Sequence, residues 1–276
     1  MIKLGVNTVL FAGYDLKTAI EHIKFTGYTG VELSSIESMV VHLSDKANDQ
    51  ELKDIKSMVE EAELDLYCVE AATDILVEEK RERTKRVFER ASKLGIPMVT
   101  LSSAGKSNDE EQMEASLRAI EVLSQSAYDC GIKFALKIHY GKSIYNTRTT
   151  LRLLEEVKHP GLGINFDATH VGRVGDDPIE AMEVLKDHII HMHIRDTIVE
   201  QLKIAPPEFQ TAGRGTVPLA QVVQKTVDIG YDGATVLEII GAKEYTLPQV
   251  AAIAGESHGY LNRLFQEAKS KKVKSH

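Results

Sequence analysis

Three polar residues stand where short apolar runs stop: Asp167 after GINF, His193 within IIHMHI, and Glu238 after ATVL. A carboxylate, an imidazole and a second carboxylate meeting at one point make a ligand set for Mn, Zn, Co or Mg. Taken singly, each acid reads better as a loop-facing residue, and His193 as a hydrogen-bonded core histidine. The metal reading rests on all three belonging to successive strand ends.

Other polar residues fall at similar places: Asn7, Glu32, Glu70, Lys137 with His139, His170 and His191. Side chains alternate along a strand, so His191 and His193 share a face, as do Lys137 and His139. His191 lies one step deeper and reads as a structural partner rather than a ligand. His170, three residues past Asp167 where a loop is expected, either reaches a substrate oxygen or caps that loop. Glu32 either accepts from a hydroxyl of a bound polyol or pairs with a neighbouring cation. Glu70 and Asn7 carry weaker signals. Arg214, between Gly213 and Gly215 in the longest irregular stretch, either holds a substrate oxyanion or phosphate or belongs to a plain turn.

The elements that must position these residues alternate in type. Strands are expected at Lys3 to Val6, Gly30 to Leu33, Leu66 to Val69, Pro97 to Leu101, Lys133 to Ile138, Gly163 to Phe166, Ile189 to Ile194 and Ala234 to Glu238, each followed by a helical pattern. Eight strand-then-helix units without a linker are the length and order of an α/β fold of the closed (β/α)8, or TIM barrel, type, one domain over 1–276 with a C-terminal helical extension. An open doubly wound sheet should carry a glycine-rich phosphate turn after an early strand, and neither NTVLFAG nor SSIES supplies one. DLKTAIEHIKFTGYTGVEL and PLAQVVQKTVDIGYDGATVLEI repeat a helix, a GYxG turn and a strand ending in Glu, which sets Glu32 and Glu238 at one height.

Composition narrows the function. A net charge of −8 over 276 residues offers no basic face for a nucleic acid. No apolar run approaches the ~18 residues of a membrane span, and the first residues lack a signal-like cleavage region, so a cytoplasmic protein is expected. Cys68 and Cys130 form no CxxC pair and read as inert thiols. The basic stretch 269–276 reads as a frayed tail.

The ordered pieces GYTGVEL, LKIH, NTRTTLRLLEEVKHPGLG, FDATH, HMHIRD, GRG and GYDGATVLEI resemble the xylose isomerase-like TIM barrels, over most of the chain. That resemblance implies metal ligation by Asp167, His193 and Glu238, and substrate contact by Glu32, His170 and Arg214. His139, on the face of Lys137, joins the expected substrate contacts and is the one replacement ligand on its strand. The implied chemistry is proton transfer beside a carbonyl through a metal-stabilised enediolate.

The sequence departs from the family at Lys137, where a Glu usually serves as both ligand and acid/base. Glu238 remains for one face of the substrate, and Lys137 would serve the other. Beside a divalent ion Lys137 should lose its proton and act as a base. Without one it stays charged, pairs with Asp167 and Glu238, and takes over the ion's role. A Schiff base to a keto substrate is the third option, and a salt bridge in a site that has lost catalysis the fourth.

The resulting expectation is a sugar isomerase or epimerase with a divalent metal, acting on a small sugar or keto-sugar and sometimes paired as a homo-oligomer. A keto-sugar or keto-inositol lyase, or a silent sugar-binding barrel, are the alternatives. The endonuclease branch of the family is set aside, since it needs more metal ligands and a basic groove.

Overall fold

The computed structural model describes residues 3–201 and 203–274. Its strands are β1 (Leu4–Asn7), β2 (Gly30–Ile36), β3 (Val40–Val41), β4 (Asp65–Glu70), β5 (Met98–Ser102), β6 (Lys133–Lys137), β7 (Leu162–Asp167), β8 (Ile189–Ile194) and β9 (Thr235–Leu237). All pair in parallel except β3, a two-residue antiparallel addition to the end of β2. Because β1 pairs with both β2 and β9, the sheet closes on itself as a TIM barrel.

The connecting helices are α1 (Leu16–Phe25), α2 (Asp49–Glu61), α3 (Glu78–Leu94), α4 (Glu110–Asp129), α5 (Thr147–Glu156), α6 (Ala168–Arg173), α7 (Pro178–Leu185), α8 (Pro207–Gln210), α9 (Leu219–Asp228) and α10 (Leu247–Lys274). Their starts follow from side-chain caps: Asp15 accepts from Thr18 N, and Asn48 and Glu51 form a reciprocal capping box at α2. The helices turn apolar faces to the sheet, with Phe88 of α3 and Phe134 of β6 both fully buried. Burying such a side chain is worth roughly 1.5–3 kcal/mol.

Two expectations of local structure are corrected. His170 lies on a helix, not a loop, because Asp167 Oδ1 accepts from Thr169 N at 2.9 Å and starts α6 directly at the strand end. The stretch expected to fray is helical through Lys274, and Lys272 Nζ reaches Val227 O at 2.6 Å. Ser275 and His276 lie outside the described residues. Among the described residues no helix is long and apolar enough to cross a membrane.

Register fixes the height of the polar residues. Val6 pairs with Val31 on one side and Leu237 on the other, so Glu32 and Glu238 flank the level of Asn7. Asp167 pairs with His193, and one layer deeper Asn165 pairs with both Lys137 and His191. A register shift between Ile164 and Asn165 sets that alignment, since a one-residue slip would turn these side chains away from the barrel axis.

Candidate active site

Four carboxylates and two permanent cations are buried together at the C-terminal ends of the strands: Glu32, Glu70, Asp167, Glu238, Lys137 and Arg195. Ion pairs link all of them except Glu32. Lys137 Nζ lies 2.7 Å from Glu238 Oε1, 3.5 Å from Glu70 Oε1 and 3.9 Å from Asp167 Oδ2. Arg195 Nη1 lies 3.2 Å from Glu238 Oε2, and its Nη2 lies 3.5 Å from Asp167 Oδ2 and 3.1 Å from His170 Nε2. Glu238 therefore faces a cation with each oxygen.

Below this layer Glu32 anchors a second network. Its Oε1 accepts from Asn7 Nδ2 at 2.6 Å and meets His193 Nε2 at 2.9 Å, while Oε2 meets His191 Nε2 at 2.6 Å. The other side of the bridge is Glu70, whose Oε2 also accepts from Asn7 Nδ2 at 2.6 Å. Asn7 thus carries the contact between the two layers.

A cavity of about 110 Å³ opens over the upper layer, and Glu70, Lys137, His139, His170, Arg195 and Glu238 line it. The expected Lys137, Glu238, His139 and His170 are among them. Glu32 is fully buried beneath the cavity with its carboxylate committed to Asn7 and the two histidines, so it is not free to hold a hydroxyl. Arg214 is elsewhere: its guanidinium makes a double contact with Glu256 of α10 at the surface, at 2.6 and 2.5 Å. The GRG segment turns outward because Asp196 holds it, accepting from Gly213 N at 3.0 Å and from Val217 N at 3.0 Å. A Cβ on Gly215 would come within 2.3 Å of Asp196 Oδ1, which is why that position is glycine.

Arg195 was not singled out from the sequence, although the signal was present. It follows His191 and His193 at the same two-residue step, so alternation aims it at the axis. Glu70, weakly marked in sequence, gains its place from the β2–β4 register, which sets it beside Ser34 and above Cys68.

Charge tunes these groups in opposite directions. Burial, then the neighbouring Glu238 carboxylate, pushes Glu70 up to about 7, against the pull of Lys137. Burial opposes the charge on Glu238 as well, but Arg195, Lys137 and His193 hold it well below the usual carboxylate range. Glu70 is thus the carboxyl of the pair that keeps a proton. Lys137 loses charge stability by burial, yet Glu238, Glu70 and Asp167 together raise its pKa above the ordinary lysine value. His139 is pushed down to about 4 by burial and then by Lys137, and His170 well below its ordinary value by burial and then by His139. Both rings are neutral, with centroids 4.0 Å apart.

Two groups have ligand atoms close enough for a metal: Glu32 with His191 and His193, and Glu70 with His193 and Glu238. Asp167 belongs to neither. In the first group both imidazoles already meet the one carboxylate between them. In the second, the Lys137 ammonium touches both carboxylates. A divalent ion some 4 Å from that ammonium meets a repulsion of about 8 kcal/mol at an effective dielectric of 20. Arg195 adds to it. The donor set, with two cations inserted among its carboxylates, does not fit a divalent ion.

A closed parallel barrel with a polar, charge-paired cavity at the strand C-termini defines the TIM-barrel class of enzyme scaffolds. The profile of the xylose isomerase-like TIM barrel matches residues 20–264, and the chain belongs to that family. It is 24% identical over 209 residues to a 3-dehydroshikimate dehydratase of Bacillus anthracis, covering 70% of this chain and 72% of that protein. It is 26% identical over 135 residues to a D-psicose 3-epimerase of Enterocloster bolteae, covering 48% of this chain and 42% of that protein. Among solved structures, the D-psicose 3-epimerase of Clostridium cellulolyticum H10 with D-tagatose superposes with a TM-score of 0.77 at 15% identity, covering 96% of this chain and 99% of that one. The IolI protein with a bound zinc atom gives 0.78 at 18% identity, with the same two coverages of 96% and 99%. At these identities the structural likeness speaks for the fold alone.

Proposed function

We propose that the chain is an enzyme that moves a proton on the carbon beside the carbonyl of a small keto-sugar, as an isomerase or epimerase. The observation that carries this reading is Glu70: a buried carboxyl lining the cavity, poised near neutrality, with Lys137 3.5 Å away. A general acid/base works best when its pKa lies near the working pH. The family's named relatives, epimerases and dehydratases, support an enzyme in this class.

In this reading Glu70, once ionised, takes the proton from the carbon. The carbon–hydrogen electron pair moves toward the carbonyl carbon, and the carbonyl oxygen becomes the enediolate oxygen. Lys137 and Arg195 face that oxygen as fixed donors and stabilise its charge, the work a metal ion would otherwise do. Glu238 does not titrate near neutrality; it positions both cations. Lys137 acts as an ammonium rather than as a base or a Schiff-base amine, because three carboxylates hold its proton. Glu70 then returns its proton to the former carbonyl carbon on the same face, while the hydroxyl of the carbon that was deprotonated passes its proton to the enediolate oxygen and becomes the new carbonyl, so a single carbon-proton carrier suits isomerisation between adjacent carbons.

Incubation with small ketoses in deuterated water tests this. Deuterium entering next to the carbonyl without loss of water is the expected result. Loss of water with formation of an unsaturated ketone identifies a dehydratase, in which the same enediolate expels a β-hydroxyl. Binding without exchange identifies a silent sugar-binding barrel and overturns the catalytic reading.

A further inference from the structure

Three cations line the cavity, and two of them have carboxylate partners. The third, Arg173 at the end of α6, has none within 4 Å among the described residues and feels only Asp167 from farther off. Its Nη2 donates to the neutral Thr197 Oγ1 at 2.8 Å, and its guanidinium carbon lies 5.8 Å from the centre of the Tyr140 ring. Its Nε is buried and has no acceptor. Leaving a charged donor unmet in a partly dry place is costly, and the cost is removed when an acceptor arrives.

His170, one turn earlier on the same helix and almost fully buried, has a second unmet nitrogen. Its Nε2 meets Arg195 Nη2 at 3.1 Å, and an arginine can only donate. In the neutral ring Nε2 is therefore the acceptor and Nδ1 carries the hydrogen. That Nδ1–H has no partner. Two donors without acceptors, one neutral and one cationic, thus come from residues that line one cavity three positions apart on one helix. They call for a ligand with two acceptor oxygens and one negative charge.

We propose that the substrate is an acid, and that Arg173 selects it by pairing with its carboxylate while His170 Nδ1–H donates to the second oxygen or to a neighbouring hydroxyl. This rests on the reading of the cavity as a keto-sugar site and narrows it from neutral sugars to sugar acids and related hydroxy-keto acids. A carboxylate, with two oxygens and one charge, matches these two unmet donors. Met39 and Ile204, both exposed, also line the cavity and add no charge to it. The net charge of −8 repels anions in general, so any preference for one must be local.

Calorimetric titration with threonate and with threitol, a four-carbon polyol acid and its neutral alcohol, tests the assignment. The wild-type protein should bind threonate at least about tenfold more tightly, the scale of one charge-assisted hydrogen bond. Arg173→Gln should bring the two affinities within about twofold, and Arg173→Lys should restore part of the difference by returning the charge without the planar fork. Equal binding of the two compounds by the wild type, no binding of threonate, or a preference that survives Arg173→Gln overturns the proposal. Inorganic phosphate binding as tightly as threonate, and with the same loss in Arg173→Gln, overturns the carboxylate assignment. The titration needs no turnover, so it stands or fails independently of the deuterium-exchange experiment.

Discussion

Lys137 Nζ lies 2.7 Å from Glu238 Oε1, in a barrel whose fold is shared by a protein solved with a bound zinc atom. The ammonium and the Arg195 guanidinium stand among the carboxylates that a divalent ion would need. Replacing Lys137 with Glu removes the ammonium's share of the repulsion, leaving that of Arg195, and adds an oxygen donor beside Glu70, His193 and Glu238. Lys137→Glu should therefore purify with, or take up, about one equivalent of Mn or Zn while the wild type takes up far less. Elemental analysis after dialysis against each metal measures it, and equal metal content in both proteins contradicts the role given to Lys137.

Glu70 is assigned the proton transfer. Glu70→Gln keeps the shape and the hydrogen bond from Asn7 but cannot carry a proton, so exchange should fall about 100- to 10,000-fold. The wild-type rate should rise with pH through about 7 as Glu70 ionises, and that limb should vanish from any residual activity of the variant. A pH profile of deuterium incorporation decides, and an unchanged limb assigns the ionisation to another group.

Glu32 is assigned to structure. Glu32→Gln deprives His191 and His193 of the anion between them and leaves polar groups unpaired in a dry layer. Breaking a buried pair from one side costs about 3–5 kcal/mol. Urea unfolding should show a loss of that size, and a change below about 1 kcal/mol contradicts the anchoring role.

His139 and His170 make the protein acid-sensitive. Their folded pKa values lie below the ordinary 6.5, His139 at about 4, so below pH 6.5 the unfolded chain takes up protons that the native state refuses. Stability contributed by these rings is present above pH 6.5 and is lost as pH falls toward 4, on the order of 3 kcal/mol for His139. Glu70 acts in the opposite sense, since its raised pKa makes stability fall as pH rises from 4.5 to about 7. Two rings against one carboxyl leave a net loss in acid. Urea midpoints should drop between pH 6.5 and 5, and His139→Gln should make the drop shallower; an unaltered slope contradicts the assignment.

Arg214 serves as the surface contrast. Its pair with Glu256 is about half exposed, and such pairs are worth about 0–1 kcal/mol. Arg214→Ala should leave both threonate affinity and deuterium exchange unchanged and move the urea midpoint only slightly. A substantial loss of either would return the GRG turn to the site.

Periodicity and punctuation alone determined the barrel. Short apolar, β-branched runs of four to six residues separated by helical patterns permit few closed arrangements, and β8 falls at Ile189–Ile194 in both sequence and structure. Alternation brought His193, Glu238, Lys137 and His139 to the strand ends, because facing along a strand is a local property. What each one does was a tertiary matter. Lys137 is an ammonium because Glu238, Glu70 and Asp167, from three other strands, lie within 4 Å of its nitrogen, and no window of sequence contains all four. Glu32 became an anchor because the β1–β2 and β1–β9 registers put it under the cavity, and Glu70 rose to prominence because burial beside Glu238 holds its proton. Arg214 left the site because Asp196 pins its loop outward. The chain specifies which residues face the axis; closing the sheet decides which charges meet there, and those meetings fix the protonation states on which the chemistry depends.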